Sequence, residues 1–383
     1  MADKPQIDWD PRADAVLQDQ IAAYDALRRR CPVAYSDYLQ WSVLGHREVR
    51  RILEDHHGFS NAVSRHLSVP NGMDPPEHSR YRRLIEPYFD DKRMAAFEPL
   101  CRELARRLAT ALPKGECEMM ASLAQPFSLR VQCAFLGWPA SLHEPLRQWA
   151  GKNHRATLAG DRAQLAAVAT EFDGYIRTLL AERRALGADA PDDLTTALLR
   201  ERVSGRPLTD EELVSLLRNW TVGELGTITA SIGILIHYLA EHGEVQRQLR
   251  QDASLLPAAI DEILRIHAPL ISNRRVTTRE VEVGGRTLAA GERISILWAS
   301  ANRDEAVFGD PDEFRLDRDP ADNLLYGAGI HVCPGAPLAR LELRLVLEAL
   351  LQASGWWLLP PGREPVRARY PGSGFSTLWV GLE

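Results

Sequence analysis

The stretch Tyr326-Gly-Ala-Gly-Ile-His-Val-Cys-Pro-Gly335 places Cys333 between glycines, directly ahead of a helical pattern at residues 336–353. Glycines on both sides of the cysteine allow the backbone to turn tightly without Cβ clashes. Unpaired N–H groups and the dipole at the start of a helix favour a thiolate over a thiol. The stretch therefore predicts that Cys333 is a metal ligand or a nucleophile.

The composition of the 383-residue chain excludes other uses of its cysteines. The 46 basic and 52 acidic residues give a net charge of −6, which argues against a nucleic-acid binder. An odd set of cysteines without a C-x-x-C pair fits neither a disulfide framework nor a thiolate zinc site. We therefore predict reduced cysteines, four of them structural, at Cys31, Cys101, Cys117, Cys133 and Cys333.

Targeting signals are not visible in the sequence. The N-terminal residues are polar and acidic, without the apolar core of a signal peptide. The longest apolar run, Ile232–Ala240, is far shorter than the ~20 residues that span a bilayer. We therefore expect a cytoplasmic protein that contacts neither a membrane nor nucleic acid.

Hydrophobic periodicity predicts a mainly α fold with small β-sheets. Apolar residues at three- and four-residue spacing indicate helices over 13–30, 93–112, 162–186 and 210–241. Thr209 followed by three acids marks the start of the last and longest of these helices. Strand patterns occur at 33–36, at 41–44, between 274 and 298, and after Trp356.

The cysteine stretch resembles the haem-ligand loop of the cytochrome P450 family, with Tyr326 where the family normally has Phe. The resemblance implies the cytochrome P450 fold, with residues 1–383 forming a single haem-centred domain. It also implies that the Cys333 thiolate is the axial ligand of haem b iron. Gly327 and Gly335 then become cofactor-binding positions of the same loop.

Two other motifs match the family's pattern for a structural triad. Glu262-Ile-Leu-Arg265 places its acid and its base on one face of a predicted helix at 257–267, so the two side chains can pair. The segment Phe314-Arg-Leu-Asp-Arg318 resembles the family's meander, whose arginine joins that pair. By resemblance, Glu262, Arg265 and Arg318 lie behind the haem and serve folding.

Four donor groups match the family's haem propionate contacts. His78 and Arg82 stand at i and i+4 of a helix that follows two prolines, so they share one face. Arg275 occupies a strand-like segment, and His331 lies two residues before Cys333. The resemblance implies that these groups bind the two propionates through charge-assisted hydrogen bonds.

The long helix contains glycines where the family kinks its oxygen-binding helix. By resemblance, Thr227 occupies the position of the threonine that donates to bound dioxygen, whereas Gly226 stands where the family has an acid. Glu224 lies three residues before Thr227 and so shares its helix face. We predict Thr227 and Glu224 as the catalytic pair, with Glu224 supplying protons; a solvated carboxylate is the alternative interpretation of Glu224.

The resemblance further implies a monooxygenase that hydroxylates or O-dealkylates a small to medium hydrophobic substrate, aromatic molecules included. O2 and NAD(P)H-derived electrons are then cosubstrates, and a ferredoxin or a flavin/iron–sulfur reductase is the redox partner, because the chain has no dinucleotide fingerprint. The Asn219–Thr227 segment also resembles haem domains fused to such a reductase. The family's contact regions place the substrate pocket at Val63, His66, Leu67, Leu225, Leu270, Ile271 and Phe375.

Three other functions stay open at this point. A peroxide-driven hydroxylase is compatible with Gly226, because that chemistry does not need the usual acid. A haem sensor or carrier would bind ligands without turnover. A hydrolase with a Cys333 nucleophile and His331 as base would need no haem.

Overall fold

The computed structural model describes residues 5–64 and 66–383, so residues 1–4 and 65 of the predicted domain lie outside the described part. The helices are α1 (Asp14–Gln18), α2 (Gln20–Arg30), α3 (His46–Glu54), α4 (Glu77–Ile85), α5 (Asp91–Thr110), α6 (Gln125–Leu136), α7 (His143–Ala159), α8 (Arg162–Leu186), α9 (Leu194–Arg200), α10 (Asp210–Gly223), α11 (Thr229–Glu241), α12 (Gly243–Gln251), α13 (Leu256–His267), α14 (Trp298–Ala301), α15 (Glu305–Phe308) and α16 (Ala336–Ala353).

The strands are short and scattered among these helices. They are β1 (Val33–Ser36), β2 (Gln40–Val43), β3 (Phe59–Ser60), β4 (Gly115–Glu118), β5 (Arg202–Val203), β6 (Arg206–Pro207), β7 (Ser272–Thr277), β8 (Val281–Val283), β9 (Arg286–Leu288), β10 (Arg293–Leu297), β11 (Trp357–Leu358), β12 (Val366–Arg367), β13 (Phe375–Thr377) and β14 (Trp379–Leu382). The predicted fold class, mainly α with small sheets, is confirmed.

The largest sheet has the strand order β1-β2-β10-β7-β3. Strands β2 and β10 run parallel, and the other neighbours in this sheet are antiparallel. A three-stranded antiparallel sheet has the order β11-β14-β4, and three further pairs are β12-β13, β5-β6 and β8-β9. Residue Arg275 on β7 thereby enters the interior from the sheet side.

The predicted first helix, at residues 13–30, is wrong in one respect, because it is broken in two at Asp19. This residue has φ −144° and ψ 90°, which is not helical, and its carboxylate accepts a hydrogen bond from the Ala22 amide. An aspartate cap offers the backbone a local alternative to a continuous helix. Helix α2 therefore starts afresh after Asp19.

The central helix runs from Asp210 to Glu241, as the sequence predicts, with one irregular turn. Thr209 and Glu212 form a reciprocal capping box at its start. Residues Glu224–Ile228 adopt a π-helical turn between α10 and α11. π-turns widen the helix locally and occur frequently at functional sites.

The glycines of the central helix serve two different purposes. A Cβ atom at Gly233 would lie 2.7 Å from the Met120 sulfur, so this glycine allows close packing of α11. A Cβ atom at Gly223 or Gly226 would meet no described atom within 4 Å. Packing therefore requires a glycine at Gly233, whereas Gly223 and Gly226 leave open space beside the π-turn.

The main apolar core surrounds the central helix. It joins α6, α10, α11, α13 and α16 through fully buried side chains such as Phe127, Leu216, Leu235, Ile263 and Leu347. Each such side chain contributes roughly 1.5–3 kcal/mol when it is removed from water. By length and composition alone the Asp210–Glu241 helix could span a membrane, but 61% of its most apolar window is buried inside the protein, as in an ordinary core helix.

The loop of residues 326–335, called the Cys loop below, packs directly against the end of α3. Gly329 has φ +67°, a left-handed conformation that favours glycine. A Cβ atom at this position would overlap the Leu53 carbonyl oxygen and lie 3.2 Å from the Glu54 Cα. The close approach of α3 therefore excludes any side chain at Gly329.

We predict that Gly329→Ala destabilises the protein more than Gly309→Ala. Gly309 has almost the same backbone angle, φ +66°, but a Cβ atom there would meet no described atom within 4 Å. The left-handed conformation alone costs about 1–2 kcal/mol for alanine. The overlap with α3 adds about 1–3 kcal/mol at Gly329 only.

Urea unfolding of both variants measures this difference. Equal losses of unfolding free energy in the two variants would show that the Cys loop can move away from α3, and would contradict the close packing described here.

Candidate functional site

A cavity of about 470 Å³ lies between the Cys loop, the central helix, strand β7 and the segments 61–64 and 66–72. Cys333 contributes to its wall from the Cys loop, and Arg275 contributes from β7. Glu224 and Thr227 line it from the π-turn of the central helix. Residues predicted from separate motifs for metal ligation, cofactor binding and proton delivery therefore share one cavity.

Cys333 is held by the backbone of its own loop. Its amide donates a hydrogen bond to the Tyr326 carbonyl oxygen at 2.8 Å, and α16 begins three residues later at Ala336. Burial raises the pKa of the Cys333 thiol, while the Gly335 and Ala336 amides and Arg82 act in the opposite direction. The net pKa is raised, so the helix start does not by itself produce the thiolate expected from the sequence.

The glycines of the Cys loop play unequal parts. Gly327 has φ +79°, so its backbone requires glycine. Gly335 has φ −82°, which any residue adopts, and the expectation that it serves the turn is therefore wrong. A Cβ atom at Gly335 would lie 3.9 Å from the Cys333 sulfur and 3.8 Å from the Phe89 ring. Glycine at this position keeps space free beside the sulfur.

The four predicted propionate contacts cluster beside the Cys loop. Arg275 and His331 line the cavity. The ring of His78 lies 4.1 Å from the ring of His331, measured between centroids. Arg82, one turn after His78 on α4, donates a hydrogen bond to the Val332 carbonyl oxygen at 2.6 Å. The structure thus gathers at one place groups that are far apart in the sequence.

Several of these buried groups lack partners among the described residues. His78 is 2% exposed, and neither of its ring nitrogens has a hydrogen-bond partner; the same holds for Nε2 of His331. Burial lowers the pKa of His331 to about 3 and that of Arg275 to about 10. Buried donors normally have acceptors.

The residues at this end of the cavity fit a haem. The unpartnered ring nitrogens of His78 and His331, together with the buried guanidinium of Arg275, suit an anionic group such as the carboxylates of a haem. A positive iron beside the Cys333 sulfur would favour the thiolate that burial disfavours. The free space next to Gly335 would let a flat ring approach the sulfur closely.

The residues predicted to deliver protons lie on the π-turn of the central helix. Glu224 and Thr227 both line the cavity, as expected from their shared helix face. Burial raises the pKa of the Glu224 carboxyl well above its ordinary range. Glu224 is half-buried on the cavity wall, and its Oε1 is shielded from solvent, which differs from the alternative of a fully solvated carboxylate.

The Glu262, Arg265 and Arg318 side chains form one buried ion cluster. Arg265 donates two hydrogen bonds to Glu262, at 2.8 and 2.9 Å, and Arg318 donates a third at 2.9 Å. Arg265 also donates to the carbonyl oxygens of Asn302 and Pro311. The cluster thereby fixes the segment that leads into the Cys loop.

Three of the seven predicted pocket residues line the cavity: Val63, His66 and Leu270. The other four are not on its described wall. Leu67 is 41% exposed, and Leu225 packs against the main core. Ile271 is buried in a separate apolar cluster, because alternate residues of an extended segment point in opposite directions. Phe375 stacks on His237 with ring centroids 4.4 Å apart.

Other residues of the cavity wall are not among those predicted from the sequence. Asn219 stands four residues before Gly223 and eight before Thr227, so helical spacing could have identified it. Phe89, Gln132 and Leu338 come from three other elements that only the tertiary fold brings to the cavity. Their local sequence carries no signal for this position.

Comparisons with known proteins agree with this architecture. The family model for cytochrome P450 matches residues 152–376, more than half of the chain. Cyclomarin C epoxidase CymV from Salinispora arenicola is 34% identical over 331 residues, covering 81% of this chain and 82% of that protein. Erythromycin C-12 hydroxylase from Saccharopolyspora erythraea is 31% identical, covering 88% of this chain and 89% of that protein.

A solved structure shows the same fold over the whole chain. The ligand-free structure of cytochrome P450 TbtJ1 matches with a TM-score of 0.87 and 30% sequence identity, covering 100% of both chains. The names of these three relatives do not mention a fused reductase, so the similarity to fused haem domains stays a prediction. Both the family model and relatives above 30% identity cover most of the sequence. The chain therefore belongs to the cytochrome P450 family of oxidoreductases.

Proposed function

We propose that the protein is a haem-thiolate monooxygenase in which Cys333 ligates the iron of haem b. The observation that supports this most strongly is the Cys333 sulfur at a cavity wall beside the buried Arg275 and the unpartnered ring nitrogens of His78 and His331. Haem bound there supplies the activation of dioxygen, which a thiolate ligand favours by pushing electron density toward the iron.

The residues around Cys333 bind and orient the haem in this proposal. The Gly335 and Ala336 amides donate hydrogen bonds to the sulfur, and these bonds stabilise its thiolate form. Arg275 neutralises charge on the haem carboxylates through charge-assisted hydrogen bonds, and the uncharged rings of His78 and His331 donate further hydrogen bonds to them. Arg82 holds the Cys loop through the Val332 carbonyl and adds positive charge nearby.

Thr227 and Glu224 handle protons on the other wall. The Thr227 hydroxyl donates a hydrogen bond into the cavity, and the Glu224 carboxyl supplies the proton. A general acid is most effective when its pKa is close to the working pH, and burial moves the pKa of Glu224 upward in that direction. This assignment gives Glu224 the part that an acid at the position of Gly226 would have.

The substrate in this proposal is a small to medium hydrophobic molecule, aromatic compounds included, that undergoes hydroxylation or O-dealkylation. Apolar wall residues such as Val63, Phe89, Trp220 and Leu270 supply most of the contact surface. Pockets of this kind combine apolar walls with a few polar groups that fix the orientation of the ligand. Asn219 is such a polar group, two helical turns from Thr227.

Electrons reach the haem from NAD(P)H through a separate ferredoxin or flavin/iron–sulfur reductase in this proposal. The alternative is a peroxide-driven hydroxylase, and Gly226 is the residue that favours it, because the usual acid is missing directly before Thr227. A haem sensor would use the same Cys333 ligation but would form no product.

We predict that Thr227→Ala lowers the fraction of consumed electrons that appears in product by roughly tenfold or more, because a positioned proton donor contributes at least that factor. Consumption of NAD(P)H with a ferredoxin and its reductase continues, and hydrogen peroxide replaces the product. Both quantities are measured in the haem-loaded enzyme with a substrate found by spectral titration.

Thr229→Ala is the matched control. The Thr229 hydroxyl does not face the cavity wall; it forms a hydrogen bond of 2.7 Å with the Ser128 hydroxyl. Its coupling should equal that of the wild type. Unchanged coupling in Thr227→Ala would overturn the assignment of Thr227. Wild-type product formation with peroxide alone, at the reductase-driven rate, would favour the peroxide-driven enzyme, and absence of product under both conditions would favour a sensor.

The neighbours Leu270 and Ile271 give a second prediction. Leu270→Ala weakens binding of a hydrophobic ligand by about 1–2 kcal/mol, because it removes apolar contact from the cavity wall. Ile271→Ala instead costs about 2–5 kcal/mol of unfolding free energy, since Ile271 is 2% exposed in a packed cluster. Ligand titration and urea unfolding of both variants measure the two effects. Equal loss of ligand affinity in both variants would contradict the placement of Leu270 on the wall.

A further inference from the structure

Residues 67–69, called the strap below, are held against the central helix by hydrogen bonds. The Ser215 hydroxyl accepts a hydrogen bond from the Val69 amide at 2.8 Å and donates one to the Leu67 carbonyl oxygen at 3.0 Å. The Arg218 guanidinium donates to the same carbonyl oxygen at 3.1 Å. The strap therefore has a fixed position beside the helix that carries Thr227.

Asn219 lies one turn after Ser215 on the same helix face and connects the strap to the cavity. Its Nδ2 atom donates hydrogen bonds to the Ser68 Oγ and to the Val69 carbonyl oxygen, both at 3.1 Å. Asn219 and Ser68 also line the cavity. Both N–H groups of the side-chain amide are therefore used by the strap.

The strap determines which way the Asn219 amide points. The Val69 carbonyl oxygen can only accept hydrogen bonds, so the nitrogen of the amide must face it and the oxygen must face elsewhere. The Asn219 Oδ1 accepts no hydrogen bond from any described residue, and it is not shielded from open space. Because Asn219 is on the cavity wall, its Oδ1 is an open acceptor there.

The Ser68 hydroxyl adds an open donor next to this acceptor. Its oxygen accepts from Asn219, but its own O–H has no acceptor among the described residues. A hydroxyl group of a ligand can both donate and accept, so it would satisfy the two side chains at once. A purely apolar ligand would satisfy neither of them.

The distance along the helix sets the size of such a ligand. Asn219 precedes Thr227 by eight residues, which corresponds to about 12 Å along the helix axis. Apolar side chains such as Val63, Trp220 and Leu270 contribute to the wall of the same cavity. A molecule that reaches from Asn219 to the neighbourhood of Thr227 therefore needs an elongated hydrophobic body, such as two linked rings.

We propose that Asn219 and Ser68 form a specificity subsite for a hydroxyl group at one end of an elongated hydrophobic substrate, whose opposite end is oxidised near Thr227. The substrate O–H donates to the Asn219 Oδ1, and the Ser68 hydroxyl donates to the substrate oxygen. The inference rests on the proposed function, because it names the class of substrate that the same cavity selects.

The competing explanation is that Asn219 only holds the strap. It predicts that replacing Asn219 weakens the binding of every ligand equally, with no dependence on a hydroxyl group. Ser215→Ala is the matched control, because Ser215 holds the same strap but is not among the residues that line the cavity in the described part of the chain. This variant loosens the strap and leaves the subsite's own groups in place.

The first test measures binding without turnover. Equilibrium dialysis of the haem-loaded protein gives dissociation constants for three probes: para-hydroxybiphenyl, biphenyl and para-methoxybiphenyl. The methyl ether accepts a hydrogen bond but cannot donate one. We expect the wild type to bind the hydroxyl compound roughly tenfold more tightly than either of the other probes, since one net hydrogen bond is worth up to about that factor.

The variants then locate the origin of this preference. In Asn219→Leu the three dissociation constants should become nearly equal, and Ser68→Ala should lose part of the preference. Ser215→Ala should retain the roughly tenfold preference, although all three probes bind more weakly because the strap is loosened.

A second measurement gives the orientation of the probe. The ferric haem iron is paramagnetic, so nuclear magnetic relaxation of the protons of bound para-hydroxybiphenyl reports their distances from it. We expect the protons beside the hydroxyl group to relax least and those at the opposite end to relax most. The reverse order would overturn the subsite, because the hydroxyl group would then point toward the iron.

The outcomes separate the subsite from the proposed function, because neither measurement needs electrons or product. Equal affinity of the wild type for the three probes, or binding of none of them, would overturn the subsite even in an active monooxygenase. A preference that survives in Asn219→Leu, or one that is lost equally in Ser215→Ala, would also overturn it.

The inference can be tested even when Asn219→Leu does not fold. Equal affinity of the wild type for the hydroxyl compound and its methyl ether would then overturn the acceptor role of Asn219, and an unchanged preference in Ser68→Ala would overturn the donor role of Ser68. A haem without thiolate ligation would overturn the proposed function and leave the hydroxyl preference as it is.

Discussion

One cysteine sulfur has to be presented to a cavity while the backbone around it keeps its own hydrogen bonds, and this constraint organises the half of the molecule around the Cys loop. The Cys333 amide closes the loop onto Tyr326, and α16 starts immediately behind it. The ion cluster centred on Glu262 fixes the chain that leads into the loop. Removing one member of such a buried cluster leaves an uncompensated charge, at a cost of about 3–5 kcal/mol.

The central helix meets a second constraint, because it must pass the cavity and leave room in it. Gly223 lines the cavity and leaves space there, and the π-turn between α10 and α11 places both Glu224 and Thr227 on the wall. Gly233 serves close packing against Met120 instead. The destabilisation that a glycine brings to a helix, roughly 1 kcal/mol, is thus linked to the cavity at Gly223 and to close packing at Gly233.

Local patterns in the sequence predicted the longest helices well, but they did not identify shorter ones such as α6 and α7. Helices α8 and α16 and the run Asp210–Glu241 begin and end at the predicted residues, because caps and periodicity are local properties. The break at Asp19 was not predicted, since a capping aspartate inside an apolar pattern gives no strong periodic signal. The π-turn was missed for a related reason: its glycines indicate an irregularity without specifying its geometry.

The residues of the candidate site also differ in how well the sequence predicts them. The family's motifs located the residues of the Cys loop and its donors, because each motif is a short run. Pocket residues were predicted less well: Leu270 lines the cavity while its neighbour Ile271 is in a core cluster, and which of the two faces inward depends on tertiary packing.

The absorption spectrum of the reduced, carbon-monoxide-bound protein tests the central claim, that the Cys333 sulfur ligates haem iron, most directly. Thiolate ligation predicts a Soret band strongly shifted to the red from that of a histidine-ligated haem. The shifted band should be lost in Cys333→Ser, while Cys133→Ser, which changes a cysteine buried in the core, should retain it. A wild-type band at the histidine-ligated position, or a shifted band that survives in Cys333→Ser, would contradict the account.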